Sequence, residues 1–230
     1  VSTGLTGRGN VAISTAALAS MTLTPLSASL SPNGTQTFVA KAYDAFSNEI
    51  TQVAFGWSVN GAGTIISFGP TTATLRAAST AGVYNGGLTA SIDPLSTSAD
   101  ITVLPGSISY VLVTPSPAAL AVGEAANFTA AAYDSSNNIV PGASFSWSTQ
   151  GGGNIESSSG ANATFRAGAA VGIYANALVA TANGKNGSVT ITVNPGSLAS
   201  LRISPSNTVQ EAGDTKVFSV VARDAFNNTI

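Results

Sequence analysis

The segment Thr37-Phe38-Val39-Ala40-Lys41-Ala42-Tyr43-Asp44 sets Phe38, Ala40 and Ala42 on one phase and Val39, Lys41 and Tyr43 on the other. An alternation of period two is the mark of a half-buried β-strand. The same segment returns as Asn127-Phe128-Thr129-Ala130-Ala131-Ala132-Tyr133-Asp134 and again as Val217-Phe218-Ser219-Val220-Val221-Ala222-Arg223-Asp224, each copy 90 residues after the last. Its Phe is therefore expected in the core each time, at Phe38, Phe128 and Phe218.

Other landmarks keep the 90-residue register. Leu18 to Pro25 aligns with Ile108 to Pro115 and with Leu198 to Pro205; Trp57 meets Trp147, Arg76 meets Arg166, Gly82 and Tyr84 meet Gly172 and Tyr174, and Pro105-Gly106 meets Pro195-Gly196. A period of 90 exceeds the roughly 20–50 residues of solenoid repeats and approaches the ~100 of a single β-sandwich. Each copy is expected to be a domain with its own core. Residues 17–106 and 107–196 read as complete copies, 1–16 as the last strand of a preceding copy and 197–230 as the first strands of a following one. The chain then reads as a window on a longer array.

Within a copy, short alternating runs are separated by turn clusters such as Ser31-Pro32-Asn33-Gly34 and Asn60-Gly61-Ala62-Gly63, and no helical period appears. The class is all-β. About seven strands in this length predict tandem immunoglobulin-like β-sandwiches. Trp57 and Trp147 fall where such a domain buries a third-strand tryptophan, and Tyr84 and Tyr174 where it places a corner tyrosine. With no cysteine to bridge the sheets, Ala-rich strands fill the interior.

The run Ala42-Tyr43-Asp44-Ala45-Phe46-Ser47-Asn48, then Phe55-Gly56-Trp57-Ser58, Gly82-Val83-Tyr84 and Ile101-Thr102-Val103 closing at Pro105-Gly106, resembles the bacterial and archaeal immunoglobulin-like repeats of invasin-, intimin- and S-layer-type surface proteins. The resemblance spans the chain. It implies an extracellular or cell-surface stalk or lattice module, without an active site, whose partners are neighbouring repeats of the same chain and identical chains in a filament or lattice. The competing reading is an adhesive or carbohydrate-binding array: an adhesin stalk, a phage tail or an accessory region of a secreted enzyme.

Composition narrows the chemistry independently. The chain has 8% charged residues, a net charge of −2, no His and no Cys, whereas globular chains average roughly 25% charged. It thereby lacks the commonest general base, the commonest metal ligand and the thiol nucleophile. No catalytic, cofactor or metal residue is expected. Eight Lys and Arg over 230 residues form no basic stripe for phosphates, so nucleic acid is not an expected partner. No apolar run reaches the ~20 residues of a membrane span. Arg8 ahead of an apolar stretch ending at Ala19 imitates a signal peptide, but Val11 and Ile13 share the phase of Ile101 and Val103, which makes the segment a strand.

Asp44, Asp134 and Asp224 recur with Asn48, Asn138 and Asn228 four residues on. Asp and Asn side chains bond nearby backbone N–H groups in turns, so these pairs predict a hairpin turn after the second strand. Arg76, Arg166 and Lys41 read as outward residues of strands. Phe46 and Phe226 lie in the predicted turn, with Ser136 in their place in the middle copy. The junctions Leu104 to Ile108 and Asn194 to Leu198 carry no acid, so calcium is not expected there; six to eight oxygen ligands would be required. Sequons stand at Asn33, Asn127, Asn162, Asn186 and Asn227, about as many as composition alone produces, and mark the candidate glycosylation sites. Replacing a core tryptophan costs roughly 3–5 kcal/mol, so Trp147→Ala is expected to destabilise its own copy by that amount in chemical denaturation.

Overall fold

In a computed structural model, which describes residues 16–230, every regular element among the described residues is a β-strand. The chain divides between Pro105 and Gly106 into two units. The expected strand of residues 1–16, with Val11 and Ile13, lies outside the described residues apart from Ala16.

The first unit contains β1 (Leu18–Thr24), β2 (Ser27–Leu30), β3 (Thr35–Asp44), β4 (Glu49–Ile50), β5 (Gly56–Val59), β6 (Gly63–Phe68), β7 (Thr72–Ala77), β8 (Gly82–Ile92) and β9 (Leu95–Val103). One sheet runs β1-β3-β7-β6, with β4 hydrogen-bonded to β3; the other runs β2-β9-β8-β5. Pro25 lies between β1 and β2 and has no N–H to give a ladder. There the chain leaves the first sheet, where β1 is antiparallel to β3, and joins the second, where β2 is parallel to β9. With the two-residue β4 set aside and β1 and β2 counted as one split strand, this is the immunoglobulin arrangement of four strands facing three.

The second unit repeats that order with β10 (Tyr110–Thr114), β11 (Ala118–Ala121), β12 (Ala125–Tyr133), β13 (Ser146–Thr149), β14 (Gly153–Ser159), β15 (Asn162–Ala167), β16 (Gly172–Ala182) and β17 (Lys185–Asn194). Its sheets are β10-β12-β15-β14 and β11-β17-β16-β13. The counterpart of β4 is reduced to a single bridge between Tyr133 and Ile139. The unit ends in a two-stranded ladder of β18 (Leu198–Ser204) and β19 (Ser219–Asp224).

The core follows the period-two reading. Phe38, Ala40 and Ala42 are buried in the first sandwich with Leu75, Leu88, Ala90, Ile101 and Val103; Phe128, Ala130 and Ala132 are buried in the second with Phe165, Leu178, Ala180, Ile191 and Val193. Alanine on the inward phase of β3 and β12 leaves room for bulkier residues, and the Phe128 and Phe165 rings meet edge to face with centroids 6.4 Å apart.

Phe218 departs from the expectation and is 49% exposed. Among the described residues β19 pairs only with β18, so no second sheet faces Phe218 as β8 and β9 face Phe38. The tryptophans are also less deep than expected: Trp57 and Trp147 pack against the cores half-buried, because β5 and β13 are edge strands. Trp147 donates Nε1–H to the Gly160 carbonyl at 3.1 Å. In the first sandwich the matching carbonyl, that of Pro70, accepts the Phe55 N–H at 2.8 Å instead, and buried Trp57 Nε1 has no partner among the described residues.

Tyr84 and Tyr174, expected in the core as corner tyrosines, pack half-buried against it. Tyr84 donates its hydroxyl to the Thr80 carbonyl and Tyr174 to the Ala170 carbonyl, at 2.9 and 3.0 Å. The rings occupy space beside Gly61 and Gly152, where φ is +74° and +73°. At Gly152 a Cβ would stand 2.7 Å from the Tyr174 ring, which excludes a side chain, while at Gly61 the ring is at an ordinary 3.7 Å and the positive φ alone favours glycine. Because Phe128 is wholly buried and Trp147 is not, Phe128→Ala is expected to cost about 3–5 kcal/mol and Trp147→Ala less, reversing the sequence-based ranking; urea denaturation of both variants against the parent checks this.

Candidate functional site

The expected hairpin turns form, and each does more than close a hairpin. In the first, the Ser47 N–H reaches the Asp44 carbonyl and the Asp44 N–H reaches the Asn48 carbonyl, at 3.1 Å each. Asp44 Oδ1 accepts the N–H groups of Phe46 and Asn48 at 2.9 Å. Its other oxygen accepts Asn48 Nδ2 at 3.1 Å and, from 28 residues earlier, the Ala16 N–H at 3.0 Å. Ser47 takes a φ of +66°, the local cost of a turn tight enough for one carboxylate to bridge.

The arrangement recurs at the other two copies. Asp134 Oδ1 accepts from Ser136 N and Asn138 N, and Oδ2 from Asn138 Nδ2 and Gly106 N. Asp224 Oδ1 accepts from Phe226 N and Asn228 N, and Oδ2 from Asn228 Nδ2 and Gly196 N. Gly106 and Gly196 are the junction glycines. Each aspartate, 1–3% exposed, thus holds the backbone just ahead of the first strand of its own copy. An ionised carboxylate bonds N–H groups about twice as strongly as a neutral acceptor, and four donors satisfy a charge that burial would otherwise penalise.

The sequence located the aspartates but not their reach. The junctions themselves carry no acidic residue, yet Asp134, just after β12, and Asp224, at the end of β19, sit on them. The one available signal was the constant spacing of 28 residues from Ala16, Gly106 and Gly196 to the three aspartates. Spacing becomes contact only because β1 pairs with β3, and β10 with β12, in antiparallel register.

The remaining predicted residues are distributed over the surface. Lys41 pairs with Glu49 at 2.9 Å, both exposed. Arg166 pairs with Glu156 and donates to the Gly123 carbonyl at 2.6 Å. All five sequon asparagines are exposed. Asn33 and Asn227 occupy turn positions with φ of +61° and +70°. Asn127 and Asn162 lie on paired strands, each accepting a hydrogen bond from the threonine of the other's sequon, Thr164 and Thr129. Asn186 is on β17 and accepts from Thr181 at 2.8 Å. Among the described residues, no three acidic side chains converge as a metal site would require, and no helix is long and apolar enough to cross a membrane.

The carboxylates are held well below their ordinary range. For Asp44 the Ala16 N–H is the largest influence; burial opposes it, and the Asn48 and Phe46 groups add to it. For Asp134 and Asp224 burial pushes the value up. The side-chain amide of Asn138 or Asn228, the junction N–H and the turn N–H groups outweigh it. All three settle at about 2, against 3.8 for a free carboxylate. A folded-state value below the unfolded one means that the stabilisation is fully present above 3.8 and is lost as pH falls toward 2. The melting temperature is accordingly expected to hold steady from pH 7 to 5 and to drop between pH 4 and 2. Asp134→Asn should melt lower than the parent at pH 7 and lose less on acidification, as differential scanning calorimetry across this range would show.

No protein-family model matches the chain, and no curated protein matches it in sequence. Among solved structures, the Escherichia coli adhesin FdeC aligns with 94% of this chain and 77% of its own, at 22% identity and a TM-score of 0.55. Yersinia pseudotuberculosis InvD aligns with 91% of this chain and 71% of its own, at 20% identity and a TM-score of 0.47. The surface layer protein SbsC, domains 1–6, aligns with 94% of this chain and 32% of its own, at 17% identity and a TM-score of 0.40. At these identities the likeness to FdeC is one of fold, and with the strand order above it makes this an all-β protein of immunoglobulin-like sandwiches.

Proposed function

We propose that the protein is a structural, non-enzymatic module of a prokaryotic surface protein or extracellular filament, in which tandem immunoglobulin-like sandwiches form a semi-rigid rod. The observation that carries this reading is the carboxylate at each junction. A linker between domains is ordinarily free to swing, but here the backbone at Ala16, Gly106 and Gly196 is bonded to the domain that follows it. Three repeats of one device at three junctions suit a chain that keeps the same angle at every joint.

The surface supports the same role. It is nearly uncharged, with 8% charged residues in the whole chain, and presents outward Ser, Thr and Asn ladders such as Thr37 with Thr74 and Asn127 with Thr164. Long strands with paired backbones resist local opening, which suits a spacer exposed to force and proteases. The exposed sequon asparagines support glycosylation at Asn33, Asn127, Asn162, Asn186 and Asn227 in a host that carries the enzyme.

The adhesive alternative has one observation in its favour: Phe55, Trp57, Ile65 and Phe68 line an apolar notch of about 190 Å³ in the first sandwich. Ser158 stands in place of Phe68 in the second, so the notch is not a property of every repeat.

Cryo-electron microscopy of the native material tests the proposal. Density continuing into further sandwiches with a constant rotation at each joint is the expected result; single sandwiches randomly oriented about their junctions would overturn it.

A further inference from the structure

We propose that the turn Asp44 to Asn48 is a docking knob for the end of another sandwich of this kind, the one joined to the chain ahead of Ala16. The inference rests on the tandem-rod reading and adds to it the surface through which successive sandwiches grip each other.

The third copy shows the turn at work. There the turn from Asp224 to Asn228 is seated on the sandwich formed by β10 to β17. Asn228 Nδ2 is bonded at 2.9 Å both to Asp224 Oδ2 within the turn and to the Ala169 carbonyl of the sandwich. The Phe226 ring lies against Gly123, 3.7 Å from where a Cβ would stand. Gly123 has a φ of +76° and offers the ring bare backbone. The junction residue itself is in close contact, since a Cβ on Gly196 would come within 3.1 Å of the Val122 side chain. Ring, amide and junction backbone therefore meet two neighbouring loops of the preceding sandwich together.

The first copy carries the same three groups, and among the described residues no sandwich is seated on its ring or its amide. Ala16 N–H is held by Asp44 as Gly196 N–H is held by Asp224, so the backbone approaches this turn in the same way. Asn48 Nδ2 is bonded to Asp44 Oδ2 at 3.1 Å, and its second hydrogen has no partner among the described residues. Phe46 is 79% exposed, against 52% for the seated Phe226. An exposed ring beside an unpaired amide hydrogen, fixed by a carboxylate that also orients the junction, matches a partner offering a glycine turn and a free carbonyl. A sandwich end of the Gly123 and Ala169 type offers both. The middle copy has Ser136 in the Phe position, so the aromatic contact belongs to some junctions and not to all.

The test lengthens the full chain by one sandwich. A second copy of residues 107–196 is placed ahead of Ala17, so that its last glycine takes the place of Ala16. Since the chain has no cysteine, nitroxides can be attached at single introduced cysteines. One pair spans the new junction, at Thr64 and at the Asn154 position of the added copy; a reference pair joins Thr64 to Asn154 of the original middle sandwich. The expected result of pulsed electron–electron resonance is a narrow distance distribution across the new junction. Phe46→Asp, which would set a charge against the neighbouring backbone, should broaden it at least about twofold, toward the free relative motion that is the default for weakly packed domains. Phe68→Asp, at another exposed phenylalanine, should leave it unchanged, and both variants should melt with the parent. A broad new junction beside a narrow reference pair, or an unchanged width in Phe46→Asp, would overturn the knob and leave the rod standing. Broad distributions for both pairs would overturn the rod reading as well.

Discussion

A carboxylate buried where the chain enters the first strand of each sandwich, and again of the β18-β19 ladder, is the interaction on which the rest depends. Asp44, Asp134 and Asp224 each gather four N–H donors, two from the turn backbone, one from an asparagine side chain and one from the junction. Removing the acceptor would leave several buried donors unsatisfied at once, and such groups are costly where water cannot reach them. Turn, first strand and junction are thereby tied to one atom pair. In a chain with so few charges, these buried acids recur in every copy.

Around that fixed point the two complete sandwiches differ in instructive ways. The aromatic edge is finished in the second, where Trp147 finds the Gly160 carbonyl, and unfinished in the first, where Phe55 has taken the corresponding carbonyl of Pro70. The first therefore carries an indole N–H without a partner among the described residues, beside an open apolar notch. The fold tolerates the difference because both tryptophans belong to edge strands and the deep core rests on phenylalanine, leucine, isoleucine, valine and alanine.

Bulges supply another shared constraint. The long strands β8 and β16 are interrupted between Tyr84 and Leu88 and between Tyr174 and Leu178. The interruption passes through a positive φ at Gly86 and at Asn176, and cross-strand polar groups close it: Asp100 accepts the Gly86 N–H, and Asn176 accepts the Ser188 hydroxyl. A bulge turns the strand just after the corner tyrosine, and so aims that ring at the glycine turns Gly61 and Gly152. Different side chains meet the same geometric need, which is how two copies of divergent sequence keep one topology.

Period-two alternation, the Trp and Tyr landmarks and the spacing of Gly, Pro, Asn and Asp were enough to make the class all-β and the architecture an immunoglobulin-like sandwich, because side-chain alternation and turn chemistry are local properties of the chain. The same local rules identified the Asp and Asn turns. They could not foresee that Phe218 would stand exposed, since burial depends on a facing sheet and β18 and β19 have none among the described residues. Nor could they show that Trp57 and Trp147 lie at sheet edges, or that Asp134 reaches back to Gly106 across 28 residues. Those outcomes depend on which strands become neighbours, and neighbours are chosen by antiparallel pairing and sheet packing over the whole domain, where no sequence window is long enough to see them.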